Sequence, residues 1–479
     1  MLFNSLEFAI FFPVVCALYF LSPQKARVPL LLVASCAFYM AFIPVYILIL
    51  FVTIGIDYVA GIYIARTSGA ARKWLLILSI LSTCAVLFVF KYFNFFTGSF
   101  VAVANLAGWR LPDVVTHIIL PIGLSFHTFQ SLSYVVEVYR GHQEPEKDLV
   151  TYATYVMFFP QLVAGPIERP QNLLHQFREW HSFDYDRVTS GLKRMAWGFF
   201  KKIVVADRLS LYVNDVYAAP RNYNGLQLSL ATFFFAYQIY CDFSGYSDIA
   251  IGSARILGFK LMENFDTPYY SRSVSEFWRR WHISLSTWFR DYLYIPLGGS
   301  RVMPGRWVFN ILVTFGVSGL WHGANWTYVI WGLLNGVYLL VGGWTHRARN
   351  RFFAAVGIGS DTTLRNGIQI IGTFLLTLVA WVVFRAKSVG DALYVLTHFY
   401  SNWNLASIKT PQFQLKHFPA ALGAIVLLEV LQLWRHRGLS NFITFRMPVF
   451  VRWPAYIGFV FMVVLIGVFR KAQFIYFQF

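Results

Sequence analysis

The sequence predicts an all-α, polytopic integral membrane protein with about 11 membrane helices plus re-entrant or interfacial helices. Three observations carry that prediction. Of 479 residues, 57% are hydrophobic and 13% charged, and the mean hydropathy is +0.54, more apolar surface than a water-soluble chain of this length would hide. Apolar runs of bilayer-crossing length recur from end to end. Most basic residues sit between those runs. The net charge of +18 therefore reads as topogenic signal and as contact with membrane lipids, not as a surface for nucleic acid.

Taken in order, the chain opens with Met1-Leu2-Phe3-Asn4-Ser5-Leu6-Glu7, which lacks a basic n-region, so no cleaved signal peptide is expected. Apolar runs follow at 5–22, 28–43, 45–65, 74–96, 115–138, 226–241, 308–344 (broken at His322), 366–384, 418–434 and 453–469. A spanning helix needs roughly 20 such residues. Shorter pieces at 150–165 and 190–206 read as re-entrant or interfacial. No soluble domain and no internal repeat is visible, so residues 1–479 are expected to form a single transmembrane domain. Lys25 and Arg27, then Arg66, Arg72 and Lys73, mark two cytoplasmic loops early in the chain. Arg347, Arg349, Arg351 and Arg365, and later Arg435, Arg437, Arg446 and Arg452, mark two more. Both termini are thus expected on the extracytoplasmic side. Cys16, Cys36, Cys84 and Cys241 lie in apolar stretches without paired or metal-ligand spacing, so they read as reduced core residues and no metal site is expected.

The most informative stretch is Gly319-Leu320-Trp321-His322-Gly323-Ala324-Asn325-Trp326, which puts a histidine between two apolar runs with no loop to host it. An ionisable group at membrane depth is costly and commonly marks a substrate path or reaction centre. Trp321 and Trp326 are expected to wall a cavity there, with Gly323 and Ala324 leaving room for a ligand or backbone. A packed, hydrogen-bonded core histidine is the alternative. Residues 275–293 place Phe277, Trp278, Trp281, Leu285, Trp288, Phe289, Tyr292 and Leu293 on one arc of a helix, with Arg279, Arg280, Arg290 and Asp291 opposite. His282 falls inside the apolar arc and is expected to face the interior. Arg279, Arg280 and Arg290 suit either a phosphorylated ligand or lipid headgroups. Gln238, Asp242 and Gly245 share a helical face by spacing. A buried Asp242 needs a partner: a bound cation, or a polar network with His282 or the arginines. The stretch 471–479 ends in Phe474-Ile475-Tyr476-Phe477-Gln478-Phe479, an aromatic tail suited to burial or to an interfacial belt. Extended chain from Arg470 to Tyr476 reaches about 20 Å, and half a hydrocarbon core is about 15 Å, so the tail is long enough to fold back towards the core.

Together, Trp278-Arg279-Arg280-Trp281-His282, Asp291-Tyr292-Leu293-Tyr294-Ile295-Pro296-Leu297-Gly298-Gly299 and Trp321-His322-Gly323-Ala324-Asn325-Trp326 resemble the motifs of the membrane-bound O-acyltransferase family, in its bacterial branch. Met1-Leu2-Phe3-Asn4-Ser5, Tyr240 to Ile251 and Phe474-Ile475-Tyr476-Phe477 fit the same branch, so the resemblance covers essentially the whole chain. It implies helices arranged around a central funnel or tunnel, and an enzyme that takes an acyl thioester from the cytoplasmic side and exports the acyl group. On that resemblance His322 matches the family's catalytic histidine and His282 its second characteristic histidine, while Tyr476 is the covalent acyl carrier. Acetyl-CoA is the implied donor substrate, with no permanently bound cofactor. A separate extracytoplasmic acetyltransferase with a serine nucleophile is the implied partner, passing acetyl to a polysaccharide such as alginate or to peptidoglycan. The implied location is the bacterial inner membrane. A proton-coupled transporter using Asp242 and His322 is the rival class; it predicts inverted repeats, which the sequence lacks. A scaffold for a polysaccharide synthase would leave both histidine motifs without purpose.

Overall fold

The computed structural model describes residues 1–109, 111–112, 121–360, 362–436, 448–469 and 475. Every regular element among them is helical. The expectations about Tyr476 and about the rest of 471–479 other than Ile475 lie outside the described residues, as do those about Arg437, Arg446 and residues 115–120.

The chain forms two compact units. The first comprises Met1–Met195 and Ser247–Met262. Its helices Leu6–Leu21, Gln24–Met40, Ile47–Arg66 and Leu124–Arg140 follow the predicted runs to within a few residues, except that the described part of the 115–138 run becomes helical only at Leu124. Gly69–Leu87 continues through the turn Phe88–Tyr92 into Phe93–Leu106, beyond the 74–96 run at both ends. Gly123 and Gly141, with φ of 79° and 77°, bound the helix Leu124–Arg140 in left-handed conformations that cost a Cβ-bearing residue strain. The helix is polar, yet nearly all of it is buried. It approaches Ile47–Arg66 so closely that a Cβ on Gly61 would lie 2.7 Å from the Tyr134 ring. Between them Asp57 accepts hydrogen bonds from Ser79, Thr83 and Ser131 at 2.5–3.1 Å, so its carboxylate is satisfied by hydroxyls. Glu168 is buried against the Met262 N–H, and burial pushes its carboxyl up to about 7.

The second unit comprises Ala196–Tyr246 and Glu263–Phe479. It holds the larger part of the 33-residue helix Gly225–Leu257, the helix pair Pro304–His322 and Trp326–Trp344, and the helices Thr363–Arg385, Phe418–His436 and Val449–Ile466. The 308–344 run, expected to break at His322, breaks just after it at Gly323–Asn325, and Asn325 caps the second helix by accepting the Thr327 N–H at 3.0 Å. Glycines let the pair cross closely. A Cβ at Gly319 would sit 2.2 Å from the Tyr328 carbonyl oxygen, and one at Gly332 2.1 Å from that of Phe315.

Six helices among the described residues are long and apolar enough to cross a membrane, fewer than the roughly 11 expected from the runs. The shortfall has a physical reason. Leu6–Leu21 has only 16 residues; Gln24–Met40 has 17 and includes Lys25 and Arg27; Leu124–Arg140 hides a polar surface inside protein. A helix shielded by its neighbours has no need of a lipid-compatible surface, so hydropathy and depth part company. The expected interfacial pieces are helical too: Leu149–Met157 and Phe159–Leu162 fall in the first, and Tyr185–Phe199 runs into the turn Phe200–Ala206 in the second.

Candidate active site

His322 ends the helix Pro304–His322 and is 3% exposed; His282 is fully buried. Their ring centroids lie 6.5 Å apart. The walls are aromatic. Phe243 stands perpendicular to His282 at 4.5 Å, Trp331 perpendicular to His322 at 5.0 Å, and Phe384 closes the far side of His322 at 5.7 Å. Trp381 stacks behind Trp331. Trp321 is part of this wall, 5.1 Å from His322. Trp326, expected to wall it as well, is 53% exposed. The room expected at Gly323 is filled by the Tyr328 ring, which a Cβ there would meet at 2.2 Å.

The amphipathic helix expected over 275–293 is interrupted at His282. Val274–Arg280 ends, Trp281 is extended, His282 takes a left-handed conformation at φ 45° and ψ 55°, and Ile283–Phe289 begins anew. Asn264 is the cause. Its backbone carbonyl accepts the Ile283 N–H at 2.9 Å, and its side chain takes the Ser284 N–H at 3.2 Å, capturing donors that a continuous helix would turn inward. His282 still faces the interior, as expected, although the helix that defined the arc is broken there.

Asn264 also fixes the imidazole. A backbone N–H only donates, so the Asn264 atom facing Ser284 is its amide oxygen. The same oxygen lies 3.0 Å from His282 Nδ1, so Nδ1 carries the hydrogen and Nε2 the lone pair. Burial, and after it the nearby His322, holds His282 well below the usual histidine range and keeps it neutral.

A cavity of about 550 Å³ in the same unit is lined by Trp278, Arg279, Ile283, Arg290, Tyr294, Trp307 and Ser318 among others, and by neither histidine. Ile283 follows His282 in the chain, and Ser318 is one turn before His322. The three candidate arginines separate here. Arg279 and Arg290 reach the cavity, Arg290 with Asp291 at 2.7 Å. Arg280 is held instead by Glu276 at 2.8 Å on its own helix.

Asp242 meets a lysine ammonium and a backbone N–H. Its Oδ1 lies 2.7 Å from Lys202 Nζ, which also meets Asp207 at 2.9 Å; its Oδ2 accepts the Ile475 N–H at 2.9 Å. Sequence reasoning missed Asn264, Lys202 and Asp207. Lys201-Lys202 inside the apolar stretch Phe199 to Ala206 was the visible signal for the lysine. Nothing local marks Asn264. No group of histidine, cysteine and acidic side chains that could hold a metal ion occurs among the described residues.

The model of the membrane-bound O-acyltransferase family matches residues 140–383, which include both histidines. The "probable alginate O-acetylase AlgI" of Pseudomonas aeruginosa is 40% identical over 85% of this chain and 77% of its own length. The protein of the same name from Azotobacter vinelandii is 38% identical over 90% of this chain and 84% of its own. A "peptidoglycan O-acetyltransferase" of Helicobacter pylori is 34% identical over 83% and 79%. This multi-pass membrane protein belongs to the membrane-bound O-acyltransferase family.

Proposed function

We propose that the protein takes an acetyl group from acetyl-CoA at the cytoplasmic face of the bacterial inner membrane and exports it for O-acetylation of an extracytoplasmic polysaccharide of the alginate kind. The names of the two most similar relatives described above support the acceptor class. The observation that carries the chemistry is the buried pair of imidazoles, 6.5 Å apart; two arginines line a cavity that takes in the residue after His282 and the one a turn before His322. Arg279 and Arg290 bind the donor's phosphates, and the thioester enters towards His322.

His322 acts as general base on the Tyr476 hydroxyl. The phenolic oxygen attacks the thioester carbonyl, the C–S bond breaks, and the proton held by His322 goes to the departing thiolate. His282, with a fixed tautomer and a neutral ring, orients the acyl group or the partner imidazole. Phenol and thiol have pKa values near 10 and 8.5, so their acetyl esters are close in transfer potential and the exchange is nearly balanced. Later transfer to a sugar hydroxyl runs downhill. A separate extracytoplasmic acetyltransferase with a serine nucleophile collects the acetyl group. The arginine-rich connections support a topology with both termini on the extracytoplasmic side. Peptidoglycan is the second reading for the acceptor, favoured by the 34% identical relative.

Purified protein incubated with radiolabelled acetyl-CoA should release thiol and acquire a covalent acetyl group, which Tyr476→Phe abolishes. An undiminished adduct in that variant rules out the tyrosine carrier. Absence of thiol release by the unaltered protein rules out acetyl-CoA as donor.

A further inference from the structure

The mechanism leaves one buried cluster unused. Lys202, Asp207 and Asp242 are each no more than 3% exposed, and one ammonium stands between two carboxylates. Two carboxylates against one ammonium is an unbalanced set in a place where ions are expensive. Asp242 takes a further donor from far along the chain, the backbone N–H of Ile475, itself 1% exposed.

A second contact brings the C-terminal segment to the same place. Lys202 sits in the wide π-helical turn Phe200–Ala206. Such a turn frees a carbonyl from the regular helical ladder, and the Ile203 oxygen accepts the Val468 N–H at 3.1 Å. Gly467 packs on Ile203 so tightly that a Cβ would lie 2.6 Å from its side chain. Val468 and Ile475 are thus both held by the segment that carries Lys202 or by the carboxylate that Lys202 neutralises.

We infer that Asp242, with Lys202 holding its charge, seats the C-terminal segment and sets where the residue after Ile475 is presented. Asp242 and Lys202 are then positioning residues for acyl transfer. That role rests on the reading of Tyr476 as carrier; the seat itself does not.

The test uses the full chain, with the four native cysteines replaced by alanine and Ile475→Cys introduced. A small maleimide should label this thiol slowly, and rapidly once Asp242→Ala is added; equal protection in both overturns the seat. In the chain with its native cysteines and Ile475, Asp242→Ala should lower the rate of acetyl-adduct formation by roughly tenfold to a hundredfold with the KM for acetyl-CoA unchanged. Ile475→Pro removes the donor N–H without touching the buried cluster and should act likewise. The double variant should be no worse than either alone, because both break one contact. Multiplying effects, or a full adduct rate in Ile475→Pro, overturns the positioning role. Failure of the carrier reading is distinguishable: Tyr476→Phe would then keep the adduct while the maleimide result still decides the seat.

Discussion

The histidine pair and the Lys202 cluster lie in the same unit, and both are polar groups buried almost completely, yet they are satisfied in opposite ways. Around His282 and His322 the surroundings are aromatic, and the fixed partner of His282 is an uncharged amide. Around Lys202 the partners are full charges. Burial without a counter-charge holds the His282 ring neutral, and Asn264 fixes its tautomer. Ions paired in a low-dielectric interior hold one another: losing one partner leaves an uncompensated charge, so the arrangement is rigid. The contrast teaches that a buried polar group is kept either as a neutral ring with a fixed partner or as paired charge.

Substitutions should keep the two regions apart. The largest effect is expected from His322→Ala, with thiol release from acetyl-CoA falling roughly 10²- to 10⁴-fold while the protein stays folded. Thermal unfolding in detergent, measured on the same preparation, checks the second half. Lys202→Met should lower stability as well as the rate of acetyl-adduct formation. Leaving two carboxylates buried without their ammonium should cost about 3–5 kcal/mol of stability, read as a lowered Tm. A Lys202→Met variant as stable as the parent would break the comparison. Asn264→Ala comes next. It frees the His282 tautomer and removes one buried hydrogen-bond acceptor, worth about 1–3 kcal/mol, so kcat should fall roughly tenfold with little change in KM. The smallest effect sharpens the donor side. Arg279→Ala should raise the KM for acetyl-CoA several-fold at constant kcat, whereas Arg280→Ala, whose guanidinium is held by Glu276, should leave KM as it was. Steady-state kinetics with both variants decide this.

Much of this was legible in the sequence because it is local. A histidine inside an apolar run with no loop, and another on the apolar arc of an amphipathic pattern, place both rings indoors before any tertiary information. The break beside His322 and the helices of the last third follow from the apolar runs and their lengths. What was not legible depends on partners distant in sequence. Asn264 stands 18 residues before His282, and it alone explains why a regular 100° pattern breaks at a left-handed residue. Asp242 pairs with Lys202 and Ile475, 233 positions away in the latter case, so helical spacing could state its need for a partner without naming one. Arg279 and Arg280 look equivalent as neighbours. Only the fold gives Arg280 to Glu276 and Arg279 to the cavity.

The claim beneath all of this is that the buried His322 imidazole drives opening of the thioester, and a single turnover tests it most directly. Purified protein mixed rapidly with a modest excess of acetyl-CoA should release a burst of thiol stoichiometric with enzyme, and His322→Ala, folded by its unfolding curve, should show none. A full burst from that variant would contradict the account.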